Sequence, residues 1–148
     1  TLYAYLPGGA SGGILPARLN NLPLDFDTLQ AHGCFIGSAA VVVLSQHDRA
    51  RDAALNAMQF FAHESCGQCT PCREGTGWLW RMMERMVKGD AERADIDHML
   101  DIAGRIEGHT ICALGDAAAW PIQGLIKHFR PELERRIAEN GAMREAAE

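Results

Sequence analysis

The stretch Glu64-Ser-Cys66-Gly-Gln-Cys69-Thr-Pro-Cys72-Arg-Glu-Gly75 sets three cysteines at two-residue intervals, and Cys112 follows after 39 intervening residues. Three thiolates on one tight loop can cap three corners of an iron–sulfur cube, with a distant cysteine supplying the last. The chain between them must therefore leave and return. Leu79, Met82, Met83, Met86 and Val87 form one apolar stripe that closes at Gly89, with Lys88 in its last turn. Ile96, Met99, Leu100, Ala103 and Ile106 form a second stripe, which Asp95 can cap and Gly108 ends. Two helices of about 13 residues each carry the chain roughly 20 Å out and back, which returns Cys112 to the other three thiols.

Further helices flank this pair. Asp48 is placed to cap a helix with Ala54, Ala57, Met58 and Phe61 on its inner face, ending near His63. After Cys112, Ile122, Leu125, Ile126 and Phe129 mark a fourth helix, and Pro131 suits the first turn of a fifth through about Glu139. Short connections make an antiparallel bundle over residues 47–139, and residues 140–148 are expected to fray. Residues 1–46 read differently. Thr1-Leu-Tyr-Ala-Tyr-Leu6 is strand-like, Pro7–Gly13 is a turn, Leu22–Leu29 suggests a strand and a helical turn, and Ser38–Leu44 is a continuous apolar run expected to be covered on both faces. So little sheet buries too little to stand alone, so this half is expected to complete a β-rich module begun before Thr1 or to lean on the helices. The fold class is α+β.

Composition narrows the function. With 148 residues, 47% of them hydrophobic and 22% charged, the chain can bury a core, and a net charge of −5 without a basic patch argues against nucleic-acid binding. No apolar run is long enough to span a membrane and no signal segment opens the chain, so a soluble protein without direct membrane contact is expected. Five cysteines, three within seven residues, are unlike a secreted disulfide framework and point to a reducing compartment and a metal site.

The surroundings of the cysteines suit a cluster. Gly67 permits backbone N–H groups to approach sulfur, Pro71 stiffens the loop, and a helix expected to begin just after Cys72, with Arg73 beside it, presents positive charge to a reduced, more negative cluster. The alternative is a structural zinc-binding interaction module using four cysteines, or three with His63 or His109; structural zinc more often takes ligands in two separated pairs. Cys34, next to Gly33 and Phe35, reads as a small buried hydrophobe. Pro7–Gly13 lacks both a dinucleotide fingerprint and a phosphate-binding lysine, and Trp78 and Trp80 read as packing residues.

Three stretches, His63–Gly75, Gly108-His-Thr-Ile-Cys-Ala-Leu-Gly-Asp-Ala-Ala-Ala-Trp-Pro121 and Gly124-Leu-Ile-Lys-His-Phe-Arg-Pro131, closely resemble the family of the NADH-binding flavoprotein subunit of respiratory complex I, which also serves soluble NAD-linked formate dehydrogenases and NAD-reducing hydrogenases. The resemblance implies that residues 1–46 are the later part of a β-grasp module and 47–139 a helical bundle holding one [4Fe-4S] cluster, with Cys66, Cys69, Cys72 and Cys112 as ligands. It further implies an electron-transfer module of an NAD-dependent oxidoreductase, passing single electrons between a flavin and Fe–S centres of neighbouring subunits. FMN and NAD(H) belong to the family's upstream flavin domain, which is not in this chain. Leu6–Pro16, Pro23–Gln30 and Cys34–Gly37 resemble the formate dehydrogenase branch, whereas the stretch after Cys112 resembles complex I, and both parent complexes stay open. The implied location is cytoplasmic, or the matrix or cytoplasmic side of a membrane complex.

Overall fold

A computed structural model describes residues 1–147. Strands β1 (Leu2–Leu6), β2 (Leu15–Pro16) and β3 (Val42–Ser45) form an antiparallel sheet in the order β2-β1-β3. Four helices follow: α1 (Ala50–Glu64), α2 (Thr70–Lys88), α3 (Arg93–Ile106) and α4 (Ala113–Glu145). The architecture is the expected α+β arrangement.

The apolar stripes read from sequence face one another. Leu79, Met83 and Met86 of α2, Ile96, Met99, Ala103 and Ile106 of α3, and Ala54, Met58 and Phe61 of α1 close on Ala118, Ile122, Leu125 and Phe129 of α4 in one core. Gly89 ends α2 in the left-handed region at φ 89°, where the N–H of Asp90 donates to the Arg85 carbonyl at 2.9 Å. The sheet leans on this core through Ala4, Leu6 and Ile14. Tyr3 fastens the contact: its hydroxyl donates to the Glu132 carboxylate of α4 at 2.7 Å and accepts the N–H of Ala50, in the first turn of α1, at 3.3 Å. Further contacts join the same half to α4: His128 Nε2 lies 2.7 Å from the His32 carbonyl, and Phe35 meets Trp120 edge-on with centroids 4.6 Å apart.

Several local expectations are corrected. Asp48 does not cap α1; its carboxylate accepts the N–H and hydroxyl of Ser45, closing the preceding turn, and Arg49 is the cap residue. Asp95 is inside α3 rather than before it. Glu92 is the cap, and the two acids form a reciprocal capping box in which the Glu92 N–H donates to Asp95 at 2.8 Å. The segment 22–29 has no strand, only a 3-10 turn over Thr28–His32. β3 lies at the edge of the sheet, and Val41, Val42 and Val43 are exposed rather than covered on both faces. The expected fourth and fifth helices are one. Pro121 and Pro131 both lie inside α4, where the buried face formed by Pro121, Ile122, Leu125, Phe129 and Leu133 continues without a break, so packing outweighs the backbone hydrogen bonds that proline omits. Helix α4 also runs on through the stretch expected to fray, because Asn140 lies against Gly89 and Arg144 reaches Asp90 at 3.6 Å. Glu148 is outside the described residues.

Candidate metal centre

The α1–α2 loop carries Cys66 and Cys69, and the first turn of α2 carries Cys72. Gly67 stands between the first two at φ 79°, so the loop reverses there without a side-chain clash. Cys69 is the cap residue of α2. Helix formation thus begins earlier than expected, and Cys72 is already helical and buried, with its Sγ 3.2 Å from the Ser65 hydroxyl and its carbonyl accepting the Thr76 hydroxyl at 2.7 Å. Pro71 fits this first turn because its missing N–H would have no helical partner there. Arg73 braces the loop from outside, donating to the Gly67 carbonyl at 2.8 Å and pairing with Glu74 at 2.9 Å. Its charge is therefore shared with a carboxylate, which weakens the direct electrostatic role expected for it.

Cys112 arrives from the far side of the bundle as the cap residue of α4. The loop before it is built on α4 and α3: Asp116 accepts the Gly108 N–H at 2.8 Å, the Thr110 hydroxyl donates to the Cys112 carbonyl at 2.9 Å, and Glu107 accepts from Trp120 Nε1 and Gln123 Nε2 at 2.9 and 2.7 Å. Gly115 makes room for Thr110, since a Cβ there would sit 2.6 Å from Thr110 Cγ2. The two loops then meet directly: the Ile111 N–H donates to Cys69 Sγ at 3.4 Å, across 42 positions of sequence.

A cavity of about 150 Å³ lies between these loops, lined by Cys66, Cys69, Cys72 and Cys112 with Glu64, Ser65, Gln68, Thr110 and Leu114. The four thiols singled out from sequence therefore surround one space. His63 does not line it; its side chain is 85% exposed and pairs with Glu64. His109 does not line it either, and its Nδ1 lies 2.8 Å from the Glu107 carbonyl. Cys34 sits in a separate small core with Tyr5, Leu15 and Leu29, where burial pushes its thiol up to about 11.

The donor set, four thiols along the wall of one cavity, suits an iron–sulfur cluster. A tetrahedral zinc, with Zn–S of about 2.3 Å, draws its sulfurs to within roughly 4 Å of one another. A cubane gives each thiolate its own iron and so calls for sulfurs spread around a wider space. Two helix N-termini, those of α2 and α4, converge there and oppose their partial positive charges to the negative charge of thiolates and cluster. Only the first of these was legible in sequence; the acidic Asp116 just after Cys112 was the signal available for the second. Ser65, Thr110 and the Ile111 amide were not foreseen, and a backbone amide carries no residue signature that could have revealed it.

Residues 52–136 match the family described as the NADH-ubiquinone oxidoreductase-F iron-sulfur binding region. The F subunit of NADH-quinone oxidoreductase from Rickettsia bellii (strain OSU 85-389) is 56% identical over 92% of this chain and 33% of its own length. An F subunit of the same enzyme from Rhizobium meliloti (strain 1021) is 53% identical over 99% of this chain and 36% of its own. The chain thus spans about a third of the length of these curated relatives. Among solved structures, an NAD+-reducing [NiFe]-hydrogenase in the air-oxidized state superposes with a TM-score of 0.82 at 33% identity, covering 93% of this chain and 24% of that one.

Proposed function

The chain belongs to the family of the NADH-ubiquinone oxidoreductase-F iron-sulfur binding region, and from that premise we propose that Cys66, Cys69, Cys72 and Cys112 hold its [4Fe-4S] cluster as the electron-transfer module of a complex I-type NADH oxidoreductase. The observation that carries the ligand assignment is the closure of two loops, 42 positions apart, around one cavity with four thiols on its wall. When bound, the cluster supplies one-electron transfer. The protein supplies the rest. The converging helix ends favour the added negative charge of reduction, Gly67 and Arg73 fix the three-cysteine loop, and Thr110 and Asp116 fix the approach of Cys112.

In this reading residues 1–46 are the later part of a β-grasp module, docked on a cluster-binding bundle over 47–139. The electron donor is a flavin in the family's upstream domain, and the acceptors are Fe–S centres of neighbouring subunits on the cytoplasmic or matrix side of the complex. Among the described residues no helix is long and apolar enough to cross a membrane. The Rickettsia and Rhizobium relatives favour complex I as the parent, and the formate dehydrogenase reading finds no support in them.

Iron, acid-labile sulfide and zinc analysis of anaerobically purified protein, with visible spectra before and after dithionite, tests the assignment. About four irons and four sulfides per chain with a bleachable brown band are expected. Stoichiometric zinc in a colourless protein, with cluster loss during purification excluded, contradicts it.

A further inference from the structure

The four thiols are not equivalent in their surroundings: Cys69 alone receives a hydrogen bond from the opposite loop, the Ile111 N–H at 3.4 Å. We propose that this amide is the donor through which the Cys112 loop sets the reduction potential of the cluster, a role that rests on the four-cysteine reading above.

The amide is held rather than merely near. On its N-terminal side the Gly108 N–H is tied to Asp116 at 2.8 Å, and Glu107 is gripped by Trp120 and Gln123 of α4. Spanning Ile111, the Thr110 hydroxyl donates to the Cys112 carbonyl at 2.9 Å, and Thr110 fills the space left by Gly115. The Ile111 side chain takes no part, being 87% exposed, so the residue's contribution at this site is its backbone. A hydrogen bond to a ligating sulfur stabilises whichever redox state places more negative charge on that sulfur, and this is the reduced one. The Ile111 amide therefore raises the potential, and removing it makes the cluster harder to reduce. The amide acts on the electron affinity of the centre while leaving the ligand count unchanged.

The test combines isotope labelling with two substitutions. Protein labelled with 15N-isoleucine, reduced with dithionite, is examined by electron–nuclear double resonance, and a 15N coupling is expected that disappears in labelled Ile111→Ala, whose amide carries unlabelled nitrogen. Redox titration of Ile111→Ala, which keeps the N–H, is expected to give the wild-type midpoint. Ile111→Pro, which lacks it, is expected to fall by about fivefold to tenfold in the equilibrium constant for reduction, where tenfold corresponds to about 59 mV for one electron. A labelled wild type without a coupling that Ile111→Ala removes overturns the proposal, as does an Ile111→Pro protein with an intact cluster and an unshifted midpoint. If Ile111→Pro assembles no cluster, the isotope result decides. Wild-type protein that binds no [4Fe-4S] cluster contradicts the ligand reading instead, so the two failures are distinguishable.

Discussion

Gly115→Ala probes the support of the fourth cysteine. In an open helix a Gly→Ala change stabilises by about 0.5–1 kcal/mol, through lower entropy of the unfolded chain. Gly104 in α3 is such a position, with nothing within 4 Å of an added methyl, and Gly104→Ala serves as the control. At Gly115 the new Cβ would lie 2.6 Å from Thr110 Cγ2 and 3.0 Å from Thr110 Cβ, well inside ordinary contact. Thr110 must give way, and its bond to the Cys112 carbonyl goes with it. Overpacking costs about 1–3 kcal/mol. The lost hydrogen bond adds about 0.5–1.5 kcal/mol. After the helix gain is subtracted, the net loss is about 2 kcal/mol, or roughly 4–8 °C in the unfolding midpoint of a chain this size. The assay is thermal unfolding of the cluster-loaded proteins followed by circular dichroism at a fixed scan rate, with the visible absorbance recording cluster loss in parallel. Gly115→Ala is expected to melt lower and to bleach faster, and Gly104→Ala to melt slightly higher. Thr110→Ala in the Gly115→Ala background should recover about 1 kcal/mol relative to additivity, because the clash partner has been trimmed. Equal midpoints for Gly115→Ala and Gly104→Ala, or strict additivity in the double variant, would mean that Gly115 does not make room for Thr110.

Two further outcomes concern the join between sheet and helices and the fifth cysteine. Burial first, and then the hydrogen bond to Glu132, push the Tyr3 hydroxyl up to about 12, above its unfolded value near 10, so its contribution is complete below pH 10 and is lost as pH rises through the folded value. Tyr3→Phe should cost about 1 kcal/mol at pH 8, after allowance for solvent screening of a half-buried group, and should flatten the alkaline fall in denaturant stability; an unchanged alkaline slope would count against the contact. Cys34→Ala should retain the full iron and sulfide content, and Cys34 in the native protein should resist alkylation at pH 8, since burial pushes its thiol up to about 11; a fall in iron content would make Cys34 a ligand candidate.

The sequence was most legible where local pattern and tertiary packing agree. The stripes of α2 and α3 and the glycine that closes α2 needed only local pattern, and Cys112 does return to the three-cysteine loop, although α2 is longer than the expected 13 or so residues, at 19 against 14 for α3. Reading failed where a local rule was outweighed by a surface it could not see. Pro131 looked like a helix start because proline favours that position, but the apolar face on either side of it belongs to one continuous helix against the core. Val41, Val42 and Val43 looked like a buried strand because a run of valines matches that pattern, yet they lie at the sheet edge and are exposed. At the metal centre the thiols were legible from their spacing. The Ile111 amide, the room left by Gly115 and the second helix end were not, because they depend on contacts between residues far apart or on backbone groups that every residue shares.

Whether Cys112 completes a four-cysteine site with Cys66, Cys69 and Cys72 is decided by electron paramagnetic resonance of dithionite-reduced Cys112→Ala beside wild type. A [4Fe-4S] signal is expected in the wild type that is lost or converted to a three-iron form in the variant, with circular dichroism showing the helices intact. An unchanged [4Fe-4S] signal in Cys112→Ala would contradict the four-cysteine assignment.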